Sequence, residues 1–243
     1  MPVILVSILF LMSCNAVKED RRYCPCTLSV VLEDLPAYPV WVYVNGAPAG
    51  EATGDTTLVV WVERGPEAYV QAFSGACPAE DGLVHIPYGS PSPPLCIFSG
   101  RADCRGESGS LRVHMQRQYC MLQLEVDGPG AWGDPYWAEI RGFAAGLDPR
   151  DGMPVPGDFH CRLDRDYRCR LPRQRPQDPL WLDIAMADGV IRSFPLGTYL
   201  ASSAYDWEAA DLKDIHLSVN LSISEICMST DLWRTVIPLE IAI

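Results

Sequence analysis

The sequence predicts an all-β protein of two tandem β-sandwiches behind a short N-terminal signal, and three observations carry that reading. Apolar and polar residues alternate at a spacing of two, the periodicity of a strand with one dry face and one wet face. Clusters of turn-forming residues, supplied by 21 prolines and 19 glycines, break these runs at the short intervals of sandwich proteins. The chain has 243 residues, long for one sandwich and suited to two domains of about 100 residues each.

The stretch ahead of the strands comes first. Val3 to Met12 holds nine apolar residues and one serine, where a bilayer-crossing helix needs roughly 20 residues. It cannot span a membrane, and its size is that of a secretory signal core. Leu11-Met12-Ser13-Cys14 resembles the bacterial lipobox, in which the cysteine thiol receives a diacylglycerol before the chain is cut on its N-terminal side. Cys14 then heads a mature protein of 230 residues. Several acyl chains hold a protein stably on a bilayer, at about 0.8 kcal/mol per buried methylene, where one chain holds only marginally. No Lys or Arg precedes the apolar run, and Met12 is bulky for its place in the box. The expected layout is a signal over 1–13, a polar tether over 14–23, a first sandwich over 24–108 and a second over 109–243.

The strands follow in order. Leu28, Val30 and Leu32 alternate near the start; Leu58, Val60 and Val62, then Leu122, Leu124 and Val126, and then Leu180, Leu182, Ile184 and Met186 repeat the pattern. The clearest alternation is His216 to Ser224, with Leu217, Val219, Leu221 and Ile223 on one face. Asn45-Gly46, Gly75 to Pro78, Gly89 to Pro94, Gly106 to Ser110, Gly128 to Asp134 and Pro172 to Pro179 supply the turns. A single helical turn is expected at Trp207 to Lys213, capped by Asp206. In the last segment Ile237, Leu239, Ile241 and Ile243 share one face, with Pro238 favouring a sheet edge. Such a strand either completes its own sandwich or fills a groove in another subunit.

A net charge of −12 opposes nucleic-acid binding, because phosphate backbones repel an acidic chain. Arg162, Arg165, Arg168, Arg170, Arg173 and Arg175 are interleaved with Asp164 and Asp166 and read as a solvated hairpin face. Ten cysteines point to an oxidising compartment; with Cys14 acylated, an odd number remains. Cys24 and Cys26 stand about 6.6 Å apart along a strand, near the upper limit for a mutual bridge, and no second CxxC pair supplies a metal site. Cys161 and Cys169 sit symmetrically about Arg165, so a hairpin closed by Leu163 to Tyr167 would bring them face to face within disulfide range.

Catalytic patterns are missing. Gly106-Glu107-Ser108-Gly109-Ser110 lacks the last glycine of a nucleophile elbow. His85, His114, His160 and His216 read as exposed strand histidines without a metal-protease motif or an orienting acid. No cofactor is expected beyond the covalent lipid on Cys14.

The lipobox, the charged run Lys18 to Arg22 and Cys24-Pro25-Cys26 entering a strand resemble the fimbrillin-associated anchor and accessory lipoproteins of the Bacteroidales, the FimB-type family. Arg117-Gln118-Tyr119-Cys120, Trp181-Leu182-Asp183-Ile184, Phe194 to Leu200 and Tyr205-Asp206-Trp207 through Ile215 extend the likeness over most of residues 11 to 225. The resemblance implies two transthyretin-like (Ig-like, Greek-key) sandwiches. It implies a non-catalytic subunit, lipid-anchored in the outer membrane and exposed at the cell surface, that tethers or caps a fimbrium. Its partners would be the fimbrial stalk or other accessory subunits, met by strand exchange. A second reading is a surface glycan-binding lipoprotein that uses Trp132, Tyr136 and Trp137.

Overall fold

The computed structural model describes residues 24–127, 137–185, 189–203, 205–220, 225–230 and 233–238. Within them the chain forms eighteen strands and one short helix, as the alternation predicts. The signal and the tether lie outside the described residues.

In the first sandwich β1 (Cys26–Leu32) lies between β4 (Thr56–Val62), antiparallel to it, and β8 (Ser108–Val113), parallel to it. The facing sheet runs β3 (Ala47–Ala52), β2 (Val40–Val44), β5 (Gly65–Ser74), β7 (Cys96–Cys104) and β9 (Gln116–Arg117). Burial alternates strictly along β1 and β2, and Leu28, Val30, Leu32, Val40, Val42 and Val70 build the core between the sheets. Asn45 and Gly46 both take positive φ, the geometry of a two-residue hairpin turn, and join β2 to β3.

The second sandwich repeats this wiring. β10 (Tyr119–Asp127) lies between β13 (Arg168–Pro172), antiparallel to it, and β16 (Ile215–Asn220), parallel to it. The facing sheet runs β12 (Met153–Arg162), β11 (Trp137–Asp148), β14 (Trp181–Ala185) and β15 (Ile191–Phe194). Strand for strand, β4-β1-β8 maps onto β13-β10-β16, and β3-β2-β5-β7 onto β12-β11-β14-β15. The sequence shows no repeat, yet the topology is duplicated. The second unit adds β17 (Glu225–Thr230) and β18 (Trp233–Pro238) as a hairpin beyond β16, with β18 at the edge. Leu122, Ile140, Leu171, Leu182 and Leu217 anchor its core.

Two expectations change. The first sandwich continues past the expected break after Ser108, because β8 pairs with β1 and β9 pairs with β7. The helical turn expected at Trp207 to Lys213 is a series of turns, and the helix, α1 (Leu196–Ser202), lies upstream, where Leu196 and Leu200 share one buried face. The cause is competition for carbonyls. Arg173 takes hydrogen bonds to the Trp207, Ala209 and Ala210 oxygens, and Arg117 takes the Leu212 oxygen, so four carbonyls that a helical ladder would draw on are engaged by side chains.

Candidate functional site

Only Gln118 separates β9 from β10, and its neighbours are clamped on both sides. The Arg117 amide donates to Asp211 Oδ1 at 2.7 Å, its guanidinium approaches Asp214 at 3.1 Å, and the Gln118 carbonyl accepts from the Arg173 amide at 3.0 Å. A second connection is a strap, the long segment 75–95 between β5 and β7 of the first sandwich, which lies across the second. Within it β6 (Val84–His85) pairs with β11 at Leu147 and Gly146. A Cβ at Gly146 would drive into the Val84 carbonyl, so glycine permits this approach. Farther along, the Ile86, Gly89 and Ser92 amides donate to the carbonyls of Ala145, His160 and Arg170 at 2.8, 3.0 and 2.9 Å. Phe73, Val84, Leu95, Ile97 and Leu147 form a small separate core at this joint. The two sandwiches therefore meet as one packed unit.

Beside the joint opens a cleft of about 830 Å³, lined among others by Gln116, Gln118, Arg150, Arg173, Gln177 and Trp207. Arg173 is buried and donates to Gln118 Oε1 at 2.8 Å, to Ala209 O at 2.8 Å, and to the Trp207 and Ala210 carbonyls. Burial holds its pKa below the usual guanidinium value. The arginine run is thus only partly the solvated face that its composition predicts. Arg162, Arg165 and Arg168 are exposed, whereas Arg170 binds Ser92 O at 2.7 Å and Arg175 binds Pro154 O at 3.0 Å.

On the outer face of the β12-β11-β14 sheet a shallower cavity of about 360 Å³ is framed by Tyr88, Arg141, Phe143, His160 and Trp181. The Tyr88 ring stacks on His160 with centroids 4.8 Å apart at 11°, and His160 Nε2 lies 2.9 Å from Glu139. His160 is therefore half-buried and oriented by an acid, unlike the exposed strand histidine expected; His114 and His216 match that expectation. Arg141 grips Asp183 through two hydrogen bonds. Burial raises the Asp183 carboxyl, but hydrogen bonds from Arg141 and Ser193 outweigh it and leave the group below its ordinary value. Tyr88, Phe143 and Trp181 remain exposed around these polar pairs. Aromatic faces beside fixed hydrogen-bonding groups suit a flat, hydroxylated ligand.

Cys14, Trp132, Tyr136, Leu239, Ile241 and Ile243 lie outside the described residues. Trp137 opens β11 and carries the Arg162 guanidinium over its ring at 5.3 Å. Tyr205 and Trp207 meet edge to face at 4.7 Å, with Trp207 buried as a core anchor. Ile237 falls in β18, whose ladder to β17 pairs Ile226 with Ile237 and Glu225 with Pro238. To that point the tail belongs to its own sheet, and among the described residues no strand pairs with the outer edge of β18. Cys161 and Cys169 are buried thiols that donate to the Arg162 and Arg170 carbonyls at 3.4 and 3.5 Å, close enough for each to perturb the other's ionisation. They do not face one another along a ladder, because β12 and β13 lie in opposite sheets. Residues Leu163 to Tyr167 form an arch between sheets, and the thiols meet across the core. Nothing in the sequence separates such an arch from a hairpin, since both are polar turns flanked by alternating strands.

No family model and no curated protein matches the sequence. Solved structures do match the fold. The fimbrial anchor protein Mfa2 from Porphyromonas gingivalis superposes with a TM-score of 0.54 at 12% identity, over 87% of this chain and 99% of its own. A fimbrial assembly protein from Parabacteroides distasonis gives 0.54 at 12% identity, over 88% and 100%. A protein from Bacteroides thetaiotaomicron, provisionally described as polysaccharide-binding, gives 0.57 at 13% identity, over 87% and 98%. At these identities the likeness is one of fold, and it extends over most of this chain and nearly the whole of each neighbour.

Proposed function

We infer that this chain is a non-catalytic subunit of a surface fimbrium, an anchor or accessory protein held to the outer membrane by lipid on Cys14. The observation that supports this most is that 87–88% of this chain superposes on nearly the full length of a fimbrial anchor protein and of a fimbrial assembly protein. The outer edge of β18, unpaired among the described residues and next to the alternating tail that runs to Ile243, suits strand addition by or to a neighbouring subunit, where main-chain hydrogen bonds supply the affinity. Among the described residues no helix is long and apolar enough to cross a membrane. Replacing Cys14→Ala should move the folded protein from the membrane fraction to the soluble fraction. Membrane retention of that variant would overturn the lipid anchor. Deleting residues 237–243 should abolish assembly with the stalk while the monomer stays folded; an unfolded monomer would instead make the tail an internal strand.

A second reading rests on the Tyr88, Phe143 and Trp181 face, which offers stacking surfaces for a glycan. Glycan-dependent quenching of tryptophan fluorescence that disappears in Trp181→Ala would favour it.

A further inference from the structure

We propose that Cys26 and Cys104 close a disulfide between the two sheets of the first sandwich, matched in the second sandwich by Cys161 and Cys169, so that each domain carries one covalent weld across its core. Cys26 opens β1 and Cys104 ends β7, strands of opposite sheets. Both side chains are fully buried in the same core, and β1 and β7, although in opposite sheets, come within 8 Å of each other between Cα atoms. Sheets stack about 10 Å apart over most of a sandwich, whereas bridged cysteines need Cα atoms within about 7 Å. The approach is possible here because the chain crosses between sheets at this end twice. β4 passes into β5 through Glu63 and Arg64, and β7 passes into β8 through 105–107. The Arg64 guanidinium lies 3.7 Å from Glu107 across the two crossings, and the Thr27 amide donates to Glu107 O at 2.9 Å.

Cys161 and Cys169 repeat the logic with different strands. They flank the arch that carries β12 into β13, and both are buried. Under the duplication the first weld joins strands one and six of its unit, and the second joins strands three and four. A single ancestral bridge would occupy matching strands, so the two pairs are independent solutions to one mechanical problem. Cys120 is the informative remainder. It lies on β10, the counterpart of β1, and is fully buried near Cys169, but β15, the counterpart of β7, carries no cysteine. It stays a thiol, with burial pushing its pKa up to about 12.

Each weld forms by exchange with the disulfide of a thiol oxidoreductase. One cysteine thiolate attacks that disulfide, and the resulting mixed disulfide is displaced by the second cysteine's thiolate. The two protein thiols lose two electrons and two protons, and the oxidoreductase leaves as a dithiol. Burial raises the Cys104 thiol to about 11, so exchange belongs to folding, before the core closes over it.

The test is a peptide map of the full chain secreted into an oxidising periplasm. The protein is denatured with iodoacetamide present, then reduced, and the newly freed thiols are labelled with N-ethylmaleimide. Cys26, Cys104, Cys161 and Cys169 should carry the second label, and the unreduced digest should contain Cys26–Cys104 and Cys161–Cys169 linked peptides. Cys96, Cys120 and Cys227 should carry the first label. Alkylation of Cys26 and Cys104 before reduction, or a link from either to Cys24, would overturn the first weld; a Cys120–Cys169 link would overturn the second. The wild-type chain decides the matter even where a Cys26→Ser/Cys104→Ser variant fails to fold.

Discussion

Replacing Arg173→Met should loosen the joint between the sandwiches by about 3 kcal/mol, and the figure can be worked from the acceptors left behind. Two of the four bonds, to Gln118 Oε1 and the Trp207 carbonyl, are buried; those to Ala209 and Ala210 are partly buried, where water can take over. Stranding a buried acceptor costs about 1–3 kcal/mol, giving roughly 2–6 kcal/mol for two. Relief of the arginine's own desolvation, seen in its lowered pKa, offsets part of this. About 3 kcal/mol corresponds to roughly a hundredfold rise in local opening. Amide hydrogen exchange read by mass spectrometry should therefore show residues 205–213 losing about that much protection, while β1 and β2 keep theirs. Arg173→Lys should fall between, because one ammonium cannot reach four acceptors in a fork. Wild-type protection in Arg173→Met, or full rescue by lysine, would refute the reasoning.

Gly146→Val should eject β6 from its ladder with β11, so limited proteolysis should nick the 75–95 strap in the variant while wild type resists. An uncut variant would show that the strap is held elsewhere. Asp183 has a folded pKa below its unfolded value of about 3.9. Its contribution is complete above that value and is lost as pH falls through the folded pKa. Asp183→Asn should thus be less stable than wild type at neutral pH and lose less stability on acidification below about pH 4; parallel acid-unfolding curves for the two proteins would contradict the pairing with Arg141.

The strands were legible because burial enforces their period: Leu28, Val30 and Leu32 are buried inward positions, and so are Leu217 and Val219. What escaped was everything decided by contacts distant in sequence. Arg173 reads as one more surface cation in a charged run, but its role depends on carbonyls 34 to 37 residues downstream. Asp206 looks like a helix cap, and its side chain does accept the Glu208 amide at 2.8 Å, yet the helix fails because its carbonyls are taken. Segment 75–95 looks like a proline-rich loop, and only the partner sandwich makes it a strap. The His160 environment was hidden for the same reason, since Tyr88 reaches it from the other domain's chain segment.

The duplicated wiring and the unequal welds together set how a pulled chain would fail. In each sandwich the first strand runs parallel to a late one, with six facing pairs in β1–β8 and six in β10–β16. Tension between the ends of such a pair drags the strands in opposite directions along the ladder, so its hydrogen bonds share the load in shear rather than opening one by one. A Cys26–Cys104 bond reroutes that load in the first sandwich. Force entering at Cys26 crosses directly to Cys104 and on into β8, and the 77 residues between the cysteines, roughly 270 Å of extended chain, stay slack. Cys161–Cys169 brackets only one arch, so β10–β16 still bears the load in the second sandwich. Stretching single oxidised molecules between their termini should therefore unfold only the second sandwich, and added reductant should restore roughly 270 Å of further extension. Full extension of the first sandwich without reductant would defeat this load path.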